Sequence, residues 1–162
     1  MPSSIASRSP ADSFTEMVQV VLPNDANPMG FALGGYVMHQ IDIVGAIAAH
    51  RHTRSLLVTA AVDGLQFLHP IHVGDLIIVN ARVTGAFRTS VEVEVEVFSE
   101  GTLTGVRRLT SVAYLTFVTV EQDGVRAVVP ALRLETDDDH RRAAAADHRR
   151  AARLRDKRDR HE

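Results

Sequence analysis

Asp42 is the residue with the most chemistry to explain. It sits in the run 34–51, GGYVMHQIDIVGAIAAHR, among apolar and small residues, directly after the polar, glycine-rich stretch 23–33. A carboxylate carried into an apolar setting is costly unless it has a partner, a water or a reaction to perform. The chemistry these residue types suit is acyl transfer to water. An acid activates the water, and backbone N–H groups at a helix N-terminus hold the developing oxyanion, which Gly34 and Gly35 can supply without obstructing side chains. Asn27 offers a hydrogen bond to the water or the acyl oxygen, although asparagine in such a loop also serves as a turn residue. On a helix, Asp42 has Met38 and His39 behind it and Gly45 and Ala46 ahead. The two small residues predict a hollow beside the carboxylate, while His39 offers the plainer alternative of an Asp-His surface pair. Gly34 and Asp42 are about 12 Å apart along one helix, so one chain cannot place both on one atom. A symmetric dimer can, if the loop of one copy meets the aspartate of the other.

The elements that must position these groups follow from periodicity. Residues 17–22, MVQVVL, read as a strand closed by Pro23, and residues 34–51 as a mostly buried helix. Four β-rich segments follow, over 56–67, 75–87, 90–99 and 107–120, punctuated by His69-Pro70, Gly74-Asp75, Gly85 and Gly101. In the third, Val91, Val93, Val95 and Val97 alternate with Glu92, Glu94 and Glu96, which predicts one core face and one wet face. This order predicts an α+β architecture, an antiparallel sheet of five or six strands wrapped around one long central helix. A second copy is expected to shield the other sheet face and the edges. Residues 1–14 are expected to form a loose arm, 15–134 the domain, and 135–162 a charged, alanine-rich helical tail in which DHRRAA occurs twice. That tail is either frayed and solvated, or it carries its arginines to the phosphates of a ligand or to an acidic partner.

Composition narrows the function classes. At 162 residues and 45% hydrophobic, the chain can bury one core without staples. The absence of cysteine removes disulfides, thiolate nucleophiles and cysteine-bound zinc, and agrees with a reducing cytoplasm. No apolar run has signal-peptide or membrane-helix length, and a net charge of −2 gives no general attraction to nucleic acid, so neither a membrane nor a nucleic acid is an expected partner. His50 and His52 flank Arg51 at a helix end where cations are favoured, and His69 and His72 flank a proline turn. Neither pair has metal-ligand context, and no phosphate-binding glycine loop or serine elbow is present, so no metal is expected.

The segments PNDANPMGFALGGYVMHQID, GLQFLHPIHVGD, TSVEVEVEV and LTSVAYLTFVTV, in that order over about residues 16–130, resemble the acyl-CoA thioesterases of the hotdog fold. The resemblance is to bacterial acyl-CoA hydrolases related to the cytosolic acyl-CoA hydrolases of animals. Asn27, Gly30, Gly34, Gly35 and Asp42 stand at the spacings of the family's loop pattern. The resemblance implies hydrolysis of acyl-CoA to a free acid and CoA with no cofactor, CoA being part of the substrate. It implies that Asp42 acts as general base or nucleophile, that Asn27 of the partner subunit completes the site, and that a Gly34 or Gly35 amide steadies the thioester oxygen. It also implies a homodimer that assembles into a hexamer as a trimer of dimers. Gly30, Arg88, Thr89 and Ser90 are the positions expected to bind substrate, with Arg88 equally readable as a solvated turn residue. Met29 and Phe31 replace polar loop residues common in the family and make the acyl tunnel more apolar. Two other readings remain: a non-catalytic acyl-CoA-binding or sensing protein, and a hotdog hydratase. The hydratase would need a histidine in the loop, and residues 24–35 contain none. A DNA-regulator version is weakened by the lack of a helix-turn-helix pattern ahead of the domain.

Overall fold

The β-branched runs pair into one sheet around one helix. The computed structural model describes residues 6–161. In chain order the elements are α1 (Pro10–Ser13), β1 (Thr15–Val20), α2 (Gly34–Thr53), β2 (Leu57–Asp63), β3 (Leu76–Ala86), β4 (Ser90–Glu100), β5 (Arg107–Thr119), a small hairpin of β6 (Glu121–Gln122) and β7 (Val125–Arg126), and α3 (Asp137–Asp159). The five long strands form a sheet in the order β1-β3-β4-β5-β2, antiparallel throughout, with β1 and β2 at its edges.

The inner face of the sheet wraps α2. Val91, Val93, Val95 and Val97 are fully buried there against a helical stripe of Val37, Ile41, Val44 and Ala48. A side chain at Gly45 would begin 3.4 Å from Val95 and 3.5 Å from Leu115 and Phe117, so glycine lets the helix backbone rest on the strands. The sheet reaches one side of the helix only. Met38, Asp42, Ile43 and Ile47 on the other side are exposed in the single chain, which corrects the expectation of a mostly buried helix. The second β segment is also shorter than expected. It stops at Asp63, and Gly64 (φ +68°) turns the chain away from the sheet. Phe67 then packs over Gly34, with its ring 3.4 Å from where a Cβ would stand.

The outer face departs most from the sequence reading. Glu92 and Glu94 are not wet: they are 1% and 7% exposed. The tail that covers them is neither frayed nor free. α3 begins with Thr136 as its cap, whose Oγ1 accepts from Asp139 N at 3.0 Å, with Asp137, Asp138 and Asp139 at the positive end of the helix dipole. It then crosses the outer face. Arg142 pairs with Glu94 and Asp138; Arg149 Nε and Nη2 donate to Glu92 at 2.9 and 2.8 Å; Arg153 donates to Asp63 at 3.1 Å. Thr84 Oγ1 also donates to Glu92, at 2.7 Å, and the Arg149 guanidinium lies 3.6 Å from the centre of the Tyr114 ring. Between these pairs, fully buried Ala146 meets Gly85, where a side chain would start 3.2 Å from the alanine methyl. Arg142, Ala146, Arg149 and Arg153 recur at three- and four-residue steps and so share one helix face. The chain's own helix therefore covers Glu92 and Glu94 on the face where a second copy was expected.

The N-terminal arm is likewise tied down from Arg8 onward. Ser13 Oγ donates to Pro10 O at 2.8 Å and accepts from Val83 N at 2.9 Å, capping a β3 amide just beyond the end of β1. Arg8 bonds backbone to backbone with Ala131 and Arg133. His52 is not a cation at a helix end: it is fully buried, and burial holds its pKa below the usual range against the raising effect of its bond to Pro130 O at 2.8 Å.

Candidate active site

Asp42 opens on a cavity of about 340 Å³ between α2 and β2, lined by Gly35, Met38, His39, Ile41, Thr59, Val62, Leu65 and Leu115. Its Oδ1 accepts a 2.7 Å hydrogen bond from Thr59 Oγ1. Thr59 takes the place expected of His39, which lines the cavity without bonding the carboxylate. Gly45 and Ala46 do not make the hollow: Gly45 faces β4 and β5, and the space comes instead from the separation of α2 and edge strand β2. Thr59 was missed in the sequence because a single threonine in LVTAAVD reads as strand composition. Its face is fixed only by pairing opposite buried Phe117 across the ladder.

The loop ahead of α2 is a rigid bracket. Asn27 Oδ1 accepts from Met29 N at 3.0 Å and from Phe31 N at 3.1 Å, while Asn27 N donates to Phe31 O at 2.8 Å. Gly30 holds φ +81° at the tip, where few other residues are comfortable, and its carbonyl accepts from Val73 N at 2.9 Å. Leu33 N donates to Asp25 O at 2.8 Å, and Phe31 packs edge-on to His72 at 4.9 Å. Asn27 is thus a turn residue through its oxygen. Its amide N–H₂, with two donor protons, is left for another partner.

Gly34 and Gly35 form the first turn of α2, whose leading amides have no acceptor inside the helix, and Leu33 gives no side-chain cap. Gly35 lines the Asp42 cavity and has open space where a Cβ would be. Within one chain, Asp42 and Gly35 therefore share a cavity, whereas Asn27 and Gly30 do not line it. The β3–β4 turn is also elsewhere. Arg88 is exposed with its carbonyl accepting from Val129 N, and Thr89 O accepts from Thr119 N, each at 2.9 Å. Ser90 opens onto the outer face under α3. Among the described residues no group of three histidines or carboxylates could hold a metal ion.

A pocket that joins a carboxylate, a hydroxyl donor and a glycine at a helix start on this topology has recognisable relatives. The family model of the thioesterase superfamily matches residues 29–106. An uncharacterized acyl-CoA thioester hydrolase of Bacillus subtilis is 37% identical over 119 residues, 74% of this chain and 69% of that one. The chain belongs to the thioesterase superfamily. Human cytosolic acyl coenzyme A thioester hydrolase is 33% identical to this superfamily member over 132 residues, 80% of this chain but only 35% of its own length. Among solved structures, an apo-hexameric acyl-CoA thioesterase superposes with a TM-score of 0.88 at 36% identity, covering 93% of this chain and 97% of that one. An acyl-CoA hydrolase of Staphylococcus aureus, in complex with butyryl coenzyme A and coenzyme A, gives 0.83 at 31% identity over 94% and 95%. Alanine variants of that enzyme at an asparagine, an aspartate and a threonine also have solved structures, and these positions lie at the sequence intervals that separate Asn27, Asp42 and Thr59 here. These neighbours are hotdog thioesterases, as the sheet wrapped on a single helix is here.

Proposed function

We propose that this protein hydrolyses acyl-CoA thioesters to a free carboxylic acid and CoA, with Asp42 at the reacting centre. The observation that carries the proposal is the Asp42–Thr59 pair at the mouth of an apolar cavity that also contains Gly35. Thr59 occupies Oδ1, which fixes the carboxylate and leaves Oδ2 for chemistry. Oδ2 either takes a proton from water as that water attacks the thioester carbon, or attacks the carbon itself to give an anhydride that water then opens. In both routes one water is consumed, the C–S bond breaks, and the sulfur leaves with a proton as the CoA thiol. A Gly35 or Gly34 amide of the partner subunit, at the positive end of its α2, stabilises the carbonyl oxygen as it gains charge. Met38, Ile41, Val62, Leu65 and Leu115 offer the acyl chain an apolar wall. The reading needs no cofactor and agrees with a cytoplasmic enzyme; no described helix is long and apolar enough to cross a membrane.

The site is completed by a second copy. Edge strand β2 leaves Val62 half exposed on the inner face, where it shares the Asp42 cavity with Met38, and Ile43 and Ile47 are exposed on the open side of α2. Pairing of two β2 edges would continue the sheet, cover this apolar band and take Asp42 out of solvent. The amide group of Asn27 of the partner subunit then donates to the water or to the acyl oxygen. Such dimers assemble in threes, as a hexameric relative suggests. Gly30, Arg88, Thr89 and Ser90 are assigned to the CoA arm in the assembled form.

Thiol release from acetyl-, hexanoyl- and palmitoyl-CoA, followed with a colorimetric thiol reagent, tests the proposal. Wild type should release thiol from at least one, and Asp42→Ala should lose on the order of 10²-fold or more in kcat. No release from any substrate would favour an acyl-CoA binder. Full activity in Asp42→Ala would leave an esterase whose base lies elsewhere.

A further inference from the structure

Of the side chains that line the Asp42 cavity, only Asp42, Thr59 and His39 can carry a proton that moves. In the proposed reaction Asp42 is base or nucleophile, and the Thr59 hydroxyl is committed to its Oδ1 at 2.7 Å. His39 is left over. The other histidines of α2 are engaged elsewhere: His50 Nδ1 bonds Ser55 O at 3.0 Å, and His52 Nε2 bonds Pro130 O at 2.8 Å. His39 makes no hydrogen bond or ion pair among the described residues, and it is exposed in the single chain.

Its position follows from the spacing on α2. Gly35, His39 and Asp42 are four and three residues apart, so they share one helix face. Cβ atoms three positions apart are about 5–6 Å from one another, and helical side chains lean toward the N-terminus, so Asp42 leans toward the turn that bears His39. The sulfur of a thioester is one bond from the carbon that Oδ2 or its water attacks, which brings it within the span of the imidazole.

That sulfur needs a proton. It leaves in a cavity walled by Met38, Ile41, Val62, Leu65 and Leu115, where desolvation disfavours a thiolate. Asp42 is poorly placed to supply the proton: Thr59 fixes the carboxylate with Oδ2 on the attacking oxygen, and in the anhydride route Oδ2 is itself bonded to carbon.

We infer that His39, as imidazolium, is the general acid that protonates the leaving sulfur, a role that rests on the thioesterase reading of this site. As the C–S bond breaks, its electron pair passes to sulfur and a ring N–H proton follows, giving the CoA thiol and neutral imidazole. The proton that Asp42 has taken from the attacking water, or that water releases on opening the anhydride, restores the imidazolium. One water is consumed, and the products are the free acid and the thiol.

Steady-state kinetics on hexanoyl-CoA and on S-phenyl thiohexanoate, whose aryl thiolate leaves without a proton, tests the role. In His39→Gln the kcat for hexanoyl-CoA should fall about a hundredfold with KM little changed, while kcat/KM for the phenyl thioester stays near wild type. Asp42→Ala should lose both activities. Imidazole added to His39→Ala should restore part of the rate on hexanoyl-CoA, which a packing defect would not allow. Full kcat in His39→Gln, a change confined to KM, or an equal loss on both thioesters would overturn the role; the first is the result expected if Asp42 returns the water's proton to sulfur itself. Absence of thiol release from wild type would instead overturn the thioesterase reading, so the two failures are distinguishable.

Discussion

Asp42 differs from an ordinary exposed aspartate through one neighbour. Thr59 donates to Oδ1 at 2.7 Å, so one carboxylate oxygen is fixed and the other is directed at the cavity. Thr59→Val keeps the β-branched shape that suits the strand and removes only the donor. The expected result is a loss of about tenfold to a hundredfold in kcat with KM little changed, since a hydrogen bond to a charged group contributes about 1.5–3 kcal/mol. Steady-state kinetics of thiol release gives the answer, and an unchanged kcat would reduce Thr59 to a packing residue. His52 is the residue whose protonation the fold resists. A carbonyl only accepts, so Nε2 carries the proton toward Pro130 O, and buried Nδ1 has no partner among the described residues. Protonation would bury a second N–H with nothing to receive it. Because the folded pKa lies below the unfolded one, the unfolded state binds more protons as pH falls below about 6.5, and stability drops with acidification. Thermal melts between about pH 7 and 5.5 should show a falling midpoint in wild type and a shallower fall in His52→Gln.

At the scale of the element, α3 is a helix that ion pairs attach to a sheet. Its sequence has little apolar surface, and its contact with the sheet combines Ala146 against Gly85 with three arginines on the carboxylates below. Glu92 is the centre of this seam, almost wholly buried and bonded to both Arg149 and Thr84. Arg149→Ala leaves that carboxylate buried with one neutral donor and should destabilise the protein by about 3–5 kcal/mol. Arg149→Met combined with Glu92→Leu removes both charges and should recover most of the loss, because the pair's attraction largely offsets its desolvation. Urea denaturation measures both. A single-variant loss below about 1 kcal/mol would mean that water reaches Glu92 and the seam is only a surface pair.

For the whole molecule, the unanswered demand is the band that β2 and the open side of α2 leave exposed beside Asp42. A shared site makes a quantitative prediction. Asn27→Ala and Asp42→Ala protomers should each be nearly inactive, and unfolding and refolding them together should restore about one quarter of wild-type activity: random pairing gives half heterodimers, each with one intact site of two. No recovery in a mixture shown to contain heterodimers would place both residues in one subunit's site.

The sequence determined what local chemistry can determine. Alternation of valine and glutamate set β4, the mixture of alanine with spaced apolar residues set α2, and the Asn27-to-Asp42 spacing carried the family likeness, because periodicity and glycine positions constrain the backbone residue by residue. The DHRRAA repeat and the glutamate ladder were equally visible, yet each looked like a solvated surface alone. Only the tertiary structure made them partners, since complementarity between segments some fifty residues apart, as in the Arg149–Glu92 pair, has no local signature. The same holds for Thr59, an unremarkable strand residue until the sheet brings it to Asp42. Burial and pairing are properties of two surfaces together, and a linear pattern describes each surface singly.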